Sequence, residues 1–485
     1  MGVLEHLEPQ NVFYFFEEIC SIPHGSGNVR QISDYLKEFA SDRGLKCIQD
    51  EWLNIIIIKE ATAGYEQEEP VILQGHMDMV AVSRPGSDID MIKDPLRLYI
   101  ENNRIHARET SLGGDDGIAV AYALALLDAQ DISHPKLEVI LTVDEEIGMK
   151  GAGEIDLSML HGRKLINLDQ EEEGVIITSC AGGARVDVCI PMRTETAAKD
   201  NLQAFTIKIG GLQGGHSGME INKGRGNANF LLGRILKGLS EKFPVYMMSM
   251  QGGLADNAIP REAEAAILVD ITNAGEVPAF VKGEEDTIRR ELGDKDAGCQ
   301  ISCEVSGRTK PQKYYNETST AQALGCLCEL PNGVIAMSRD LEGLVQTSLN
   351  LGVVDTKGDE LHLSYAVRSS VDEDKERLCR QMTETAEKYG AEASIGSVYP
   401  GWAYRVDSPL RDTVAEVYER MYGKKPVMEA IHAGVECGIL AAKIPGLDCV
   451  SIGPDMSDVH TAKESLDIAS VRRTWEFLLE ILKQR

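Results

Sequence analysis

The stretch that most constrains this chain is 137–148, Leu-Glu-Val-Ile-Leu-Thr-Val-Asp-Glu-Glu-Ile-Gly. It opens as an apolar run of strand type and closes on the acids Asp144, Glu145 and Glu146. A run this apolar reads as a strand buried on both faces, which requires a parallel sheet covered by helices. In such sheets the ligand site lies beyond the carboxyl ends of the strands. An isolated Asp-Glu-Glu is more often a solvated turn, but other strand-like runs here end in the same manner. Val71-Ile72-Leu73-Gln74-Gly75 runs into His76-Met77-Asp78, Lys164-Leu165-Ile166-Asn167-Leu168 is ended by Asp169, and the apolar run 448–452 leads to a loop carrying His460.

With 485 residues, the chain is long enough for two or three domains and a sizeable core. Its net charge of −28 argues against nucleic acid or an anionic membrane as partner and leaves carboxylates free for cations. The 11 cysteines are scattered without a disulfide framework, which fits reduced thiols in a cytoplasmic setting. The first residues carry no basic region or long apolar run, so no secretion signal is expected, and the apolar stretch 118–127 is too short to span a bilayer.

Along the chain, 9–20 reads as a helix with Phe13, Tyr14, Phe15 and Phe16 on it, and 84–109 as an irregular excursion over the surface. The glycine-rich loop 111–117 precedes 118–127, which is apolar all round and reads as a buried helix. Between about 186 and 395 the pattern changes to amphipathic strands alternating with helices, an α+β signature. After Gly401 the first style returns, with a last helix from Ser465. The expectation is an α/β protein: a mainly parallel-sheet domain built from 1–185 and 396–485, interrupted by an inserted α+β domain at 186–395.

Five residues at strand ends or in adjoining loops are candidate metal ligands: His76, Asp115, Glu146, Asp169 and His460. Two imidazoles and three carboxylates suit Zn, Mn or Co. Three anionic ligands nearly neutralise two divalent ions, and one carboxylate must then lie between them. Asp78, two residues beyond His76, is the natural acceptor for the other N–H of that imidazole. Glu145 and Glu146 are adjacent and face differently, so one can ligate while the other takes a proton from a bound water.

Gly75-His76-Met77-Asp78-Met79, Leu112-Gly113-Gly114-Asp115-Asp116-Gly117, Asp144-Glu145-Glu146-Ile147-Gly148, Asn167-Leu168-Asp169, Gly214-Gly215-His216-Ser217-Gly218, Asn257-Ala258-Ile259-Pro260 and Asp458-Val459-His460 together resemble the motif series of the dinuclear zinc peptidases that include aminoacylases and glutamate carboxypeptidases. Ser21-Ile22-Pro23-His24-Gly25, Tyr399-Pro400-Gly401-Trp402 and His432-Ala433-Gly434-Val435-Glu436-Cys437-Gly438 are similar to the aminoacyl-histidine dipeptidase branch.

The resemblance implies a metal-dependent dipeptidase cleaving unblocked dipeptides, of Xaa-His type, with two divalent ions, zinc foremost. It implies that Asp115 bridges them, with His76 and Asp169 on one and Glu146 and His460 on the other. Glu145 would be the general base acting on a metal-bound hydroxide, Asp78 would orient His76, and His216 of the inserted lid would stabilise the oxyanion. Asn257 and Arg368 would hold the substrate, Arg368 by its carboxylate, and Glu436 would pair with its amino group. A homodimer is implied as well. Rival readings are an N-acyl amino acid deacylase, a tripeptidase, or a catalytically silent peptide-binding protein. His24 and His432 are expected to be structural, and His106, His134 and His161 to lie at the surface. The insertion, roughly 210 residues, is about twice what a four-stranded, two-helix lid needs.

Overall fold

The computed structural model describes residues 2–196, 201–306, 313–339, 341 and 343–484. They form two compact units, one of Met1–Ser179, Tyr404–Ala430 and Val435–Arg485, the other of Cys180–Ala403 and Ile431–Gly434.

The first unit is built on a mixed eight-stranded sheet in the order Lys46–Gln49, Ile55–Lys59, Leu137–Thr142, Val71–His76, Lys164–Asn167, Asp448–Ser451, Val175–Cys180, Val427–Ile431. Its middle four strands are parallel, and antiparallel pairs flank them. Leu137–Thr142 and Val71–His76 are buried at every residue, as their apolar character requires. The one acid inside the first of them, Glu138, is buried because its carboxylate accepts backbone N–H bonds from His161 and Gly162 at 3.0 Å.

Helix Gly114–Asp128 is buried almost throughout and lies directly on the sheet. A Cβ on Gly75 would sit 2.6 Å from both Ala119 Cβ and Asp116 Oδ2, so only glycine allows this approach. Helix Gln10–Cys20 buries Phe13, Phe15 and Phe16, while Tyr14 is exposed.

A row of side chains crosses the four parallel strands. Ser451 Oγ donates to Asn167 Oδ1, Asn167 Nδ2 to Gln74 Oε1 at 2.7 Å, and Gln74 Nε2 to Glu436 Oε2 at 2.5 Å, with Thr142 Oγ1 donating to the same oxygen at 2.6 Å.

The segment 84–109 is not simply irregular. Leu98–Glu101 and Arg104–Ala107 form a hairpin whose turn residues Asn102 and Asn103 have φ of 50° and 61°. Ser465–Asp467 and Met456–Ser457 extend it to a four-stranded sheet. Ser465 therefore begins a strand, and the last helix is Ile468–Leu482, capped by Asp467 accepting from Ser470 N.

The second unit carries a nine-stranded antiparallel sheet in the order Gln300–Ser306, Leu202–Gly210, Ala263–Asp270, Val245–Gly252, Val345–Lys357, Glu360–Ser369, Gly182–Pro191, Glu392–Tyr399, with Gly333–Met337 also pairing to Val345–Lys357. Helices Ala228–Ser240, Val277–Leu292, Glu317–Glu329 and Asp372–Lys388 contribute buried residues to the same apolar core as the strands. Along Gly182–Pro191, Val186, Val188 and Ile190 face that core while Arg185, Asp187 and Cys189 alternate with them, the pattern of a sheet covered on one side. Nine strands account for the size of the insertion. Among the described residues, no helix is long and apolar enough to cross a membrane.

Candidate metal centre

The carboxyl ends of the parallel strands converge. His76 ends Val71–His76, Glu145 and Glu146 follow Leu137–Thr142, Asp169 follows Lys164–Asn167, and His460 lies in the loop after Asp448–Ser451. Asp115 enters from the start of helix Gly114–Asp128. Its two carboxylate oxygens face two different imidazoles: Oδ1 is 3.0 Å from His76 Nε2, and Oδ2 is 3.0 Å from His460 Nε2. His76 Nε2 is also 3.6 Å from Asp169 Oδ1, and His460 Nε2 is 2.9 Å from Glu146 Oε1. The other four expected ligands thus gather about the Asp115 carboxylate, and Glu145 joins His76 and Glu146 in a further close group.

The tautomer of His76 is set by its neighbour. Nδ1–H donates to the backbone carbonyl of Asp78 at 2.9 Å, which leaves Nε2 as a lone-pair donor aimed at two carboxylates. The expected partner was the Asp78 carboxylate. That group stands off at 3.5 Å and instead accepts from Ser26 Oγ at 2.8 Å and Glu145 N at 3.2 Å. A lone pair facing carboxylates is stable only with a proton or a cation between them. Without a cation the protons remain: burial lowers the His76 pKa, but Asp115 and Asp169 outweigh it and hold it well above its ordinary value. Hydrogen bonding to Asp115 and Glu146 lifts His460 to about 11. Burial would raise Asp115, but His460 and His76 hold it below its ordinary value. Burial pushes Asp169 and Asp116 well up and Glu145 up to about 8. Nitrogen and oxygen donors that hold protons against one another in this way fit paired divalent cations, whose binding would release those protons.

Two acids here escaped the sequence reading. Asp116 Oδ2 accepts from His76 N at 3.1 Å, and Asp116 forms a close group with His76 and Asp169. Glu464 is buried and accepts backbone N–H bonds from Leu112 at 2.8 Å, Gly113 at 3.2 Å and Gly114 at 2.8 Å, so it fixes the loop that delivers Asp115. Gly113 has φ of 67°, and a Cβ there would press to 2.8 Å from Met79 Sδ. Glu436 is fully buried at the end of the side-chain row, with no partner for Oε1 among the described residues and its carboxyl raised to about 7, chiefly by burial.

The remaining expected site residues lie in the second unit. His216 Nδ1 accepts from Gly218 N at 3.2 Å and Met219 N at 3.1 Å, which puts the ring proton on Nε2; burial and then Arg368 lower its pKa and keep it neutral. Asn257 sits beside it: its carbonyl accepts from Ser217 N at 2.8 Å, next to the short pair His216↔Ala258. Arg368 is buried rather than a solvated strand end. Its Nη1 donates to Tyr399 Oη at 3.2 Å, and its Nε has no partner among the described residues. His432 is buried, with Nε2 at 2.7 Å from Ser348 Oγ, and burial followed by Arg368 and His216 lowers it to about 3.

Of the other histidines, His24 is buried with Nδ1 on Ile22 O, His161 is exposed, and His106 is half-buried and stacked on Tyr99. His134 is a correction: it is buried, because its Nδ1 finds the carbonyl of Pro135 at 2.7 Å.

The sequence profile of Peptidase family M20/M25/M40 matches residues 72–484. The chain is 37% identical over 484 residues to the cytosol non-specific dipeptidase of Escherichia coli (strain K12), spanning 100% of this chain and 99% of that protein. Its fold matches the crystal structure of aminoacylhistidine dipeptidase from Vibrio alginolyticus with a TM-score of 0.92 at 33% identity, covering 99% of this chain and 97% of that one. Aminopeptidase PepT from Bacillus cereus ATCC 10987 shares the fold at a TM-score of 0.57 and 16% identity, over 98% of each chain.

Proposed function

The chain belongs to peptidase family M20/M25/M40, and on that premise we propose that it is a metal-dependent dipeptidase cleaving the peptide bond of unblocked dipeptides, Xaa-His dipeptides among them. The observation that carries this reading is Asp115, whose two oxygens each face a different imidazole at 3.0 Å. That is the disposition a carboxylate shared by two cations requires. His76 and Asp169 would hold one ion, and Glu146 and His460 the other, with zinc the first choice for this donor set. When bound, such ions supply Lewis acidity: they polarise a carbonyl and make a nearby water more acidic.

The chain's own groups do the rest. Glu145 takes the proton of the attacking water and passes it to the departing amine. The carbonyl and carboxylate of Asp78 hold His76 and the Glu145 backbone in place. In the second unit, which the sequence places at 186–395 and which we take as a lid, His216 presents Nε2–H as the donor to a developing oxyanion. The buried, underused guanidinium of Arg368 receives the substrate's carboxylate beside Asn257. Glu436, fully buried and held by Gln74 Nε2 and Thr142 Oγ1, is the acid we assign to the substrate's ammonium. We take the enzyme to be a cytoplasmic homodimer.

The test is metal analysis of purified protein together with a panel of Xaa-His dipeptides, other dipeptides, tripeptides and N-acetyl amino acids. Cleavage confined to unblocked dipeptides is the expected result. Cleavage of N-acetyl amino acids in preference to them would make the chain a deacylase instead.

A further inference from the structure

Away from the acids of the first unit, the outward side of the nine-stranded sheet carries a second group of ligand-type side chains. Gly182–Pro191 pairs antiparallel with Glu360–Ser369, and Cys189 stands directly opposite His362. Glu360 lies two residues from His362 and therefore on the same face. The neighbours Val188, Ile190, Leu361 and Leu363 are buried in the core, which leaves these three pointing away from it. Cys189 Sγ is 3.2 Å from His362 Nδ1, and Glu360 Oε2 is 3.0 Å from the opposite nitrogen, Nε2, so a shared ion would take one ring nitrogen and replace the contact at the other. One ligand atom from each lies within 4.8 Å of the others. The side chains of His362 and Glu360 are 32% and 49% exposed, so an ion can reach them. On the other side of Cys189, its cross-strand partner is Glu392.

We propose that Cys189, His362 and Glu360 form a second cation site, selective for a borderline-soft divalent ion of the zinc type, with Glu392 or water completing the coordination. The chemistry of the three donors decides the class. A thiolate with an imidazole favours Zn²⁺ or Co²⁺ over Mg²⁺ or Ca²⁺, whereas an all-oxygen cluster would favour the reverse. Binding forms the Cys189 sulfur–metal bond and releases the thiol proton to solvent. Burial, then Glu360, Asp187 and Glu392, hold that thiol above its ordinary value, so without an ion it stays protonated. The same Cys–His–carboxylate chain resembles a nucleophile relay, but a thiol kept protonated by surrounding acids is poorly suited to attack. A bound ion would join two adjacent strands through their side chains.

Cobalt distinguishes this site from the peptidase centre, because none of the five expected ligands there is a cysteine. The purified protein, stripped by chelator and refilled with Co²⁺, is expected to show a near-ultraviolet thiolate-to-cobalt absorption. Cys189→Ser and His362→Ala should each lose that absorption and about one cobalt per chain, with dipeptide turnover within about twofold of the parent. In the unmodified protein, Zn²⁺ should slow alkylation of Cys189 at least tenfold, read by peptide mass spectrometry. A parent protein without the absorption, an absorption that survives Cys189→Ser, or alkylation indifferent to Zn²⁺ would each overturn the proposal.

Discussion

The two units hold polar clusters of opposite character. In the first, Asp115, Asp116, Glu145, Glu146 and Asp169 crowd around His76 and His460, and the imidazoles retain protons because acids face them. In the second, Arg368 is buried with no partner for Nε among the described residues, and it helps to strip the protons from His216 and His432. One cluster is short of positive charge and the other of negative charge. Burial is the common cause, but its outcome depends on which sign was placed there first. Such unbalanced groups are costly in a finished core, and the proposed cations in one and the proposed substrate carboxylate in the other would offset that cost.

The sharpest way to break this contrast is to remove what the first cluster is proposed to hold. Prolonged chelation should abolish dipeptide hydrolysis, and Zn, Mn or Co should restore it; full turnover in metal-free protein would detach the acids from the chemistry. Next in size, Glu145→Ala should lower turnover by roughly 10²–10⁴-fold while the metal content measured by mass spectrometry stays unchanged. Near-normal rates would assign the proton transfers elsewhere.

The second cluster is tested by Arg368→Ala. Losing a charge-assisted bond of about 1.5–3 kcal/mol should cut kcat/KM for dipeptides roughly 10–100-fold. Dipeptide amides, which lack the carboxylate, should be affected far less. Equal losses on both would reduce Arg368 to a structural role. The smallest effect concerns stability. His432 is held at about 3 when folded, against about 6.5 in an unfolded chain, so acid protonates the unfolded chain first and the folded state loses ground below pH 6.5. Between pH 7 and 5 this costs about 2 kcal/mol. Urea unfolding of His432→Gln should show a pH dependence shallower by that amount; an unchanged slope would mean that burial and Arg368 do not hold the ring neutral.

His76, Glu146, Asp169 and His460 were legible because each lies beyond a run too apolar to be anything but a buried strand, and a parallel sheet brings all such ends to one edge. Asp115 was legible by a different sign, the glycine-rich loop that opens the buried helix. Glu464 was not legible because it binds only backbone N–H groups of a loop some 350 positions away, and no residue pattern records that pairing. The hairpin at 98–107 was hidden for a similar reason: its strands are half-exposed, and it is completed by Ser465–Asp467 from the far end of the chain. The Asn102-Asn103 turn was its one local sign. Asp78 was correctly placed beside His76 but with its carbonyl rather than its carboxylate, since the direction of a side chain two residues past a strand end follows from the turn and not from strand alternation. His134 looked like surface because the partner that holds its ring, the carbonyl of the adjacent Pro135, is a backbone group that no residue pattern marks.

The crossing row from Ser451 through Asn167 and Gln74 to Glu436 has every donor pointing the same way. Sliding any one strand by a single position would turn its member of the row to the opposite face and leave a neighbouring amide stranded. The row therefore works as a gauge: it keeps the four strand tips flush, and the side chains mounted just past them inherit that alignment. Asn167→Leu, which removes one link of the row, should accordingly blur the spacing of the whole rim.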